Sequence, residues 1–123
     1  MRATTTRWAA LAVAACFSLP AQAQTEIQWW HSMSAALGEW VNDLAKGFNE
    51  SQSQYRVVPT YKGSYDESLT AAIAAFRAGN APHLLQVFEV GTATMMASRK
   101  AIKPVAEVMK ESGHKFDPGR YVT

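Results

Sequence analysis

The chain has 123 residues, 48% of them hydrophobic and 18% charged, with 12 Lys and Arg against 10 Asp and Glu. That length fits one small domain at most, and a formal charge of +2 leaves no clustered basic face of the kind nucleic-acid binders carry. A single Cys excludes an intrachain disulfide framework and any zinc site built on several thiolates.

The N-terminus reads first as an export signal. Arg2 and Arg7 flank a polar start, Trp8 to Leu19 is almost wholly apolar, and Pro20 precedes Ala21-Gln22-Ala23. A basic start, a short apolar run and a small-x-small site define a secretory signal peptide over residues 1–23, cut after Ala23. The apolar run is shorter than the roughly 20 residues that span a bilayer. Two alternatives stay open. One is a buried N-terminal helix. The other is a lipobox at Val13-Ala14-Ala15-Cys16 that would acylate Cys16, disfavoured because apolar residues continue to Leu19 where a polar tether is expected. Arg2 and Arg7 account for the excess positive charge, so residues 24–123 carry 10 basic and 10 acidic groups and no thiol. A thiol-free chain suits an oxidising envelope compartment.

From there the chain alternates strands and helices. Glu26 to Trp30 predicts a short strand. Leu37, Trp40, Val41, Leu44, Ala45 and Phe48 recur at three and four residues, which predicts an amphipathic helix from Ser34 to about Glu50. Tyr55 to Tyr61 predicts a second strand, and Pro59 places it near an edge because Pro cannot donate to the ladder. Ser64 and Glu67 form a capping-box pattern that starts a second helix, with Leu69, Ile73 and Phe76 as its buried stripe. Gly79-Asn80-Ala81-Pro82 stops it. His83 to Val90 predicts a third strand buried on both faces. Gly91-Thr92 opens a helical segment to about Arg99, and Pro104 opens a last short helix ending near Gly113. Met95 and Met96 read as core filling. The order β-α-β-α-β-α predicts an α/β fold with a parallel sheet and right-handed crossovers. A three-stranded parallel sheet with open edges reads as the opening half of an α/β domain.

In such sheets ligands bind beyond the carboxyl ends of the strands. Three segments reach that edge: Trp30-His31-Ser32, Lys62-Gly63-Ser64-Tyr65 and Glu89-Val90-Gly91-Thr92. Gly63 lets the backbone approach a ligand, the following helix N-terminus favours anions, and Tyr65 adds a phenol and an aromatic face. The competing reading is a capped helix that binds nothing, with Tyr65 half-buried at the surface. Glu89 is an acceptor for ligand hydroxyls and would repel a phosphate; its competing reading is a helix-dipole or Lys partner. His31 reads as a packed histidine between core and loop. His31, His83 and His114 have no paired metal spacing, and no dinucleotide fingerprint, Walker A motif or nucleophile elbow is present. A small secreted phosphoester hydrolase would need a nucleophile or metal cluster, and the sequence displays neither.

Several stretches carry a resemblance. They are Trp30 to Met33, Val58 to Tyr65, Ala75 to Pro82, Gln86 to Ser98 and Ala101 to Val105, in that order. Together they resemble the start of the extracellular solute-binding proteins, in the periplasmic glycerol-3-phosphate-binding branch that serves Ugp-type ABC importers. The resemblance covers essentially all of residues 24–123. It implies two α/β lobes that close on ligand about a hinge, with residues 24–123 as the N-terminal part of lobe one. It implies a monomeric, non-enzymatic receptor without cofactor or metal, which binds glycerol 3-phosphate, with glycerophosphodiesters as a further candidate ligand, and docks on membrane permease subunits. A related carbohydrate receptor is the alternative within the family. It also implies that Tyr65 and Glu89 contact ligand. Members of the wider family often carry Asp after the Gly-x-x-Pro turn, where this chain has His83. Family members are far longer, so the chain is expected to be a fragment without the second lobe.

Overall fold

In the computed structural model the described residues are 23–98, 101–115 and 117–120. The expected signal segment up to Gln22, and the alternative acylation at Cys16, lie outside them. Strand β1 is Thr25–His31, helix α1 Ala35–Ser51, strand β2 Tyr55–Tyr61, helix α2 Tyr65–Arg77 and strand β3 Leu84–Leu85. A one-turn 3-10 helix at Glu89–Gly91 leads into helix α3, Thr92–Ala97, and helix α4 is Val105–Glu111. Pro104 sits at the N-cap of α4, just ahead of its first turn.

The sheet is parallel throughout, in the order β2-β1-β3. The chain moves from β1 to β2 on one side, then back past β1 to β3 on the other. Right-handed crossovers therefore put α1 and α2 on opposite faces. Helix α1 packs on β2, and α2 packs on β1.

β2 is an edge strand, and local side chains cover its outer backbone groups. The Gln52 amide accepts from Tyr55 N at 2.7 Å and donates to Tyr55 O at 2.7 Å. The Asn49 amide does the same for Val57, at 2.7 and 2.9 Å. Pro59, the next residue of that parity, has no N–H to leave bare. The first half of the open edge is thus closed to further strand pairing.

Three expectations are corrected. First, β3 is two residues of strand, not the eight of His83 to Val90. Its register pairs Trp29 with Leu84 and Trp30 with Leu85, while β1 runs on to His31 through its pairing with Tyr61 of β2. The strand is flanked by the bonds from His83 N to Gln28 O (3.1 Å) and from Gln86 N to Trp30 O (2.9 Å). Beyond Gln86 there is no β1 backbone to pair with, and the chain turns into the 3-10 helix.

Second, the apolar stripes of both helices are mostly exposed. Helix α1 rests on Val41 and Ala45, with Asn49 continuing the row, and leaves Leu37, Trp40, Leu44 and Phe48 exposed, Trp40 by 59%. Helix α2 buries Ser68 and Ala72 and half-buries Leu69, while Ile73 and Phe76 are exposed. Small residues allow each helix its close approach to the sheet, so the bulky neighbours project beside the contact. Ile73 and Phe76 line an apolar cavity of about 1020 Å³ with Leu84, Val105 and Val108. Third, Met95 is buried but Met96 is exposed.

Candidate functional site

The described loops at the carboxyl end of the sheet are tied to one another. The Lys62 amide donates to His31 O at 2.9 Å, which joins the β2 exit to the β1 exit. The Ser32 amide donates to Gln86 Oε1 at 2.9 Å, which joins the β1 exit to the β3 exit. Tyr65 stacks on Phe88, with ring centroids 5.0 Å apart and planes 22° apart, which joins the β2 exit to the segment carrying Glu89. All three segments singled out from sequence therefore meet at one edge. The gap between β1 and β3, where the chain reverses direction across the sheet, is the switch point at which open α/β sheets take ligands.

Tyr65 is the first residue of α2 and is 37% exposed. Its helix is capped from within. The Ser64 amide donates to Glu67 Oε2 at 2.7 Å, and Ser64 Oγ accepts from the Glu67 amide at 3.4 Å. The Ser64 amide first, and second the Ser64 hydroxyl, which donates to the same Oε2 at 2.8 Å, hold the Glu67 carboxyl below its ordinary pKa. Gly63 belongs to the same device. Its φ is +84°, and a Cβ there would collide with the Glu67 carboxylate. The glycine thus serves the cap. An anion approaching this helix end finds the N-cap amide occupied by Glu67 and two acidic residues, Asp66 and Glu67, in the first turn. That geometry favours the capped-helix reading of the Gly63–Ser64 amides over an anion cradle, and leaves the Tyr65 phenol and ring as the accessible recognition groups.

Glu89 opens the 3-10 helix and is exposed. Among the described residues it forms no ion pair. A free carboxylate at this edge is an acceptor for hydroxyl donors.

His31 is 3% exposed, with the rings of Trp29 and Tyr61 each 6.1 Å away. Its Nδ1 accepts from the Met33 amide at 3.3 Å, and burial pushes its pKa down. It is a packed histidine beneath the loops. Lys62 folds its ammonium over the Trp30 ring, 4.0 Å from the centroid. His83 has a structural task. Its Nδ1 accepts from the Gln28 amide at 3.0 Å, where a carboxylate could serve as the same acceptor. Among the described residues, no three His, Cys, Asp or Glu side chains group to hold a metal ion.

Sequence reading missed Gln86 and Phe88, both assigned to a buried strand. The signal available was the Phe-Glu-x-Gly order, an aromatic beside a carboxylate with a glycine three residues on.

No family model matches the chain. The sn-glycerol-3-phosphate-binding periplasmic protein of Escherichia coli O1:K1 is 57% identical to it over 113 residues, 92% of this chain and 26% of that protein. The protein of the same name from Brucella abortus strain 2308 is 52% identical over 111 residues, 90% of this chain and 26% of that protein. Over that span the chain is similar to both proteins along nearly its whole length. It spans about a quarter of the length of these relatives. Both relatives are named as binding proteins and as periplasmic. No helix among the described residues is long and apolar enough to cross a membrane.

Proposed function

We propose that this chain forms part of a periplasmic receptor for glycerol 3-phosphate, with residues 1–23 as its export signal and 24–123 within its first solute-binding lobe. The receptor binds its solute without chemical conversion and delivers it to the membrane permease of an ABC importer. The observation that carries the reading is the Tyr65–Phe88 stack, which sets a phenol and the Glu89 carboxylate on one sheet edge. Such a pair suits a small polyol phosphate. Glu89 accepts from the glyceryl hydroxyls and keeps the phosphate at a distance. Tyr65 donates its phenolic proton to the other end of the ligand and covers the carbon chain with its ring. The names of the relatives supply the solute class.

The test is a titration of the isotopically labelled chain with glycerol 3-phosphate, followed by NMR. Shifts should centre on Tyr65 and Glu89. A hydrogen bond to a charged group contributes about 1.5–3 kcal/mol, so Glu89→Ala should weaken binding by about tenfold or more. An unchanged affinity in Glu89→Ala removes that residue from the site.

A further inference from the structure

We infer that Phe88 is a positioning residue, holding Tyr65 and Glu89 in fixed relation without itself contacting the ligand. The inference rests on the reading that Tyr65 and Glu89 grip the solute. Three contacts carry it. On one side the Phe88 ring stacks on Tyr65 at 5.0 Å, within the range of offset aromatic pairs. On another it abuts the backbone of buried Gly91, where a Cβ would lie 2.9 Å from Phe88 Cε1 and 3.1 Å from Cδ1. Its carbonyl meanwhile accepts from the Gly91 amide at 3.0 Å and from Thr92 Oγ1 at 3.3 Å. The ring is thus wedged between the start of α2 and the 3-10 turn, and the carbonyl closes the turn whose first residue is Glu89. A shift of the ring disturbs both the phenol and the carboxylate.

Gly91 is part of the device. Its missing side chain makes room for the ring and for Val87 Cγ1, 3.1 Å from a Cβ there, so a larger residue must displace the ring or unwind the turn. Glu89 and Tyr65 lie 24 positions apart in the chain, and Phe88 is the residue that touches one and is bonded to the other.

The experiment compares Phe88→Leu, Phe88→Tyr and Gly91→Ala with the unaltered chain. Two quantities are read by NMR: the ring-current shift of the Tyr65 ring protons, and the dissociation constant for glycerol 3-phosphate. Phe88→Leu keeps an apolar filler but removes the stack. It should release the Tyr65 shift and weaken binding roughly two- to tenfold, the range that aromatic pairs contribute. Phe88→Tyr should restore both. Gly91→Ala should reproduce the Leu variant with Phe88 intact, and it carries the test should Phe88→Leu fail to fold. An unmoved Tyr65 shift, or full affinity, in both Phe88→Leu and Gly91→Ala overturns the inference. Absence of any glycerol 3-phosphate response in the unaltered chain at concentrations well above about 1 mM overturns the ligand reading instead, and the Tyr65 shift in Phe88→Leu then decides the positioning role alone.

Discussion

His31 closes β1 with its imidazole packed between Trp29 and Tyr61, beneath the three loops of the candidate site. Burial lowers its pKa from the ordinary 6.5, and the Met33 amide donates to Nδ1, which must therefore be free of a proton. The sign follows directly. The unfolded chain binds a proton here at a higher pH than the folded one, so stability rises with pH. The contribution is complete above the ordinary histidine value and is lost as pH falls through it toward the depressed folded value. Urea midpoints at pH 7.5, 6.5 and 5.5 should decline in that order. His31→Phe keeps a ring between the same neighbours and should flatten that decline. An equal pH slope in both proteins would assign the effect to other groups. At the same scale, the residue types at the site were readable and their tasks were not. Tyr65 and Glu89 stand out in sequence as polar residues at strand-to-helix junctions. Gly63 looked like a point of ligand approach, but it answers to Glu67, because a capping carboxylate and a positive φ both require glycine there.

At the level of elements, the starts and stops were legible because their causes are local. Ser64 and Glu67 mark the start of α2 through a reciprocal hydrogen bond within four residues, and Gly79 to Pro82 marks its end. β3 was not legible, since its length depends on where β1 stops, a partner more than 50 residues away. Helix faces failed for a related reason: an apolar stripe six residues wide does not reveal which row meets the sheet. In α1 the row is Val41, Ala45 and Asn49, and the contrast between adjacent positions is a sharp test. Val41 is 1% exposed and Trp40 is 59% exposed. Val41→Ala removes two buried methyl groups and should cost about 2 kcal/mol in urea denaturation. Trp40→Gln should change stability by about 0.5 kcal/mol or less, as surface substitutions do. A larger loss at Trp40 than at Val41 would mean that α1 is rotated on its axis.

For the molecule as a whole, the question is how much grip one sheet edge provides. Residues 24–123 have balanced charge, so no long-range field draws an anion in, and recognition must come from contact. The edge offers the Glu89 carboxylate, at about 1.5–3 kcal/mol, and the Tyr65 phenol, at about 0.5–1.5 kcal/mol. Together these reach about 4.5 kcal/mol at best, close to the roughly 4.1 kcal/mol that a dissociation constant of 1 mM represents. Association also costs translational and rotational freedom, which lowers the yield further. The relatives are about four times as long as the matched span, so most of their surface has no counterpart here. The exposed row of Leu37, Trp40, Leu44 and Phe48 and the apolar cavity beside α2 agree with a unit whose packing surfaces are only partly used. The chain alone should therefore bind glycerol 3-phosphate with a dissociation constant of about 1 mM or weaker. NMR titration reads that range directly. Saturable micromolar binding by this chain would show that the single edge already holds the complete site, and that the added length of the relatives serves something other than affinity.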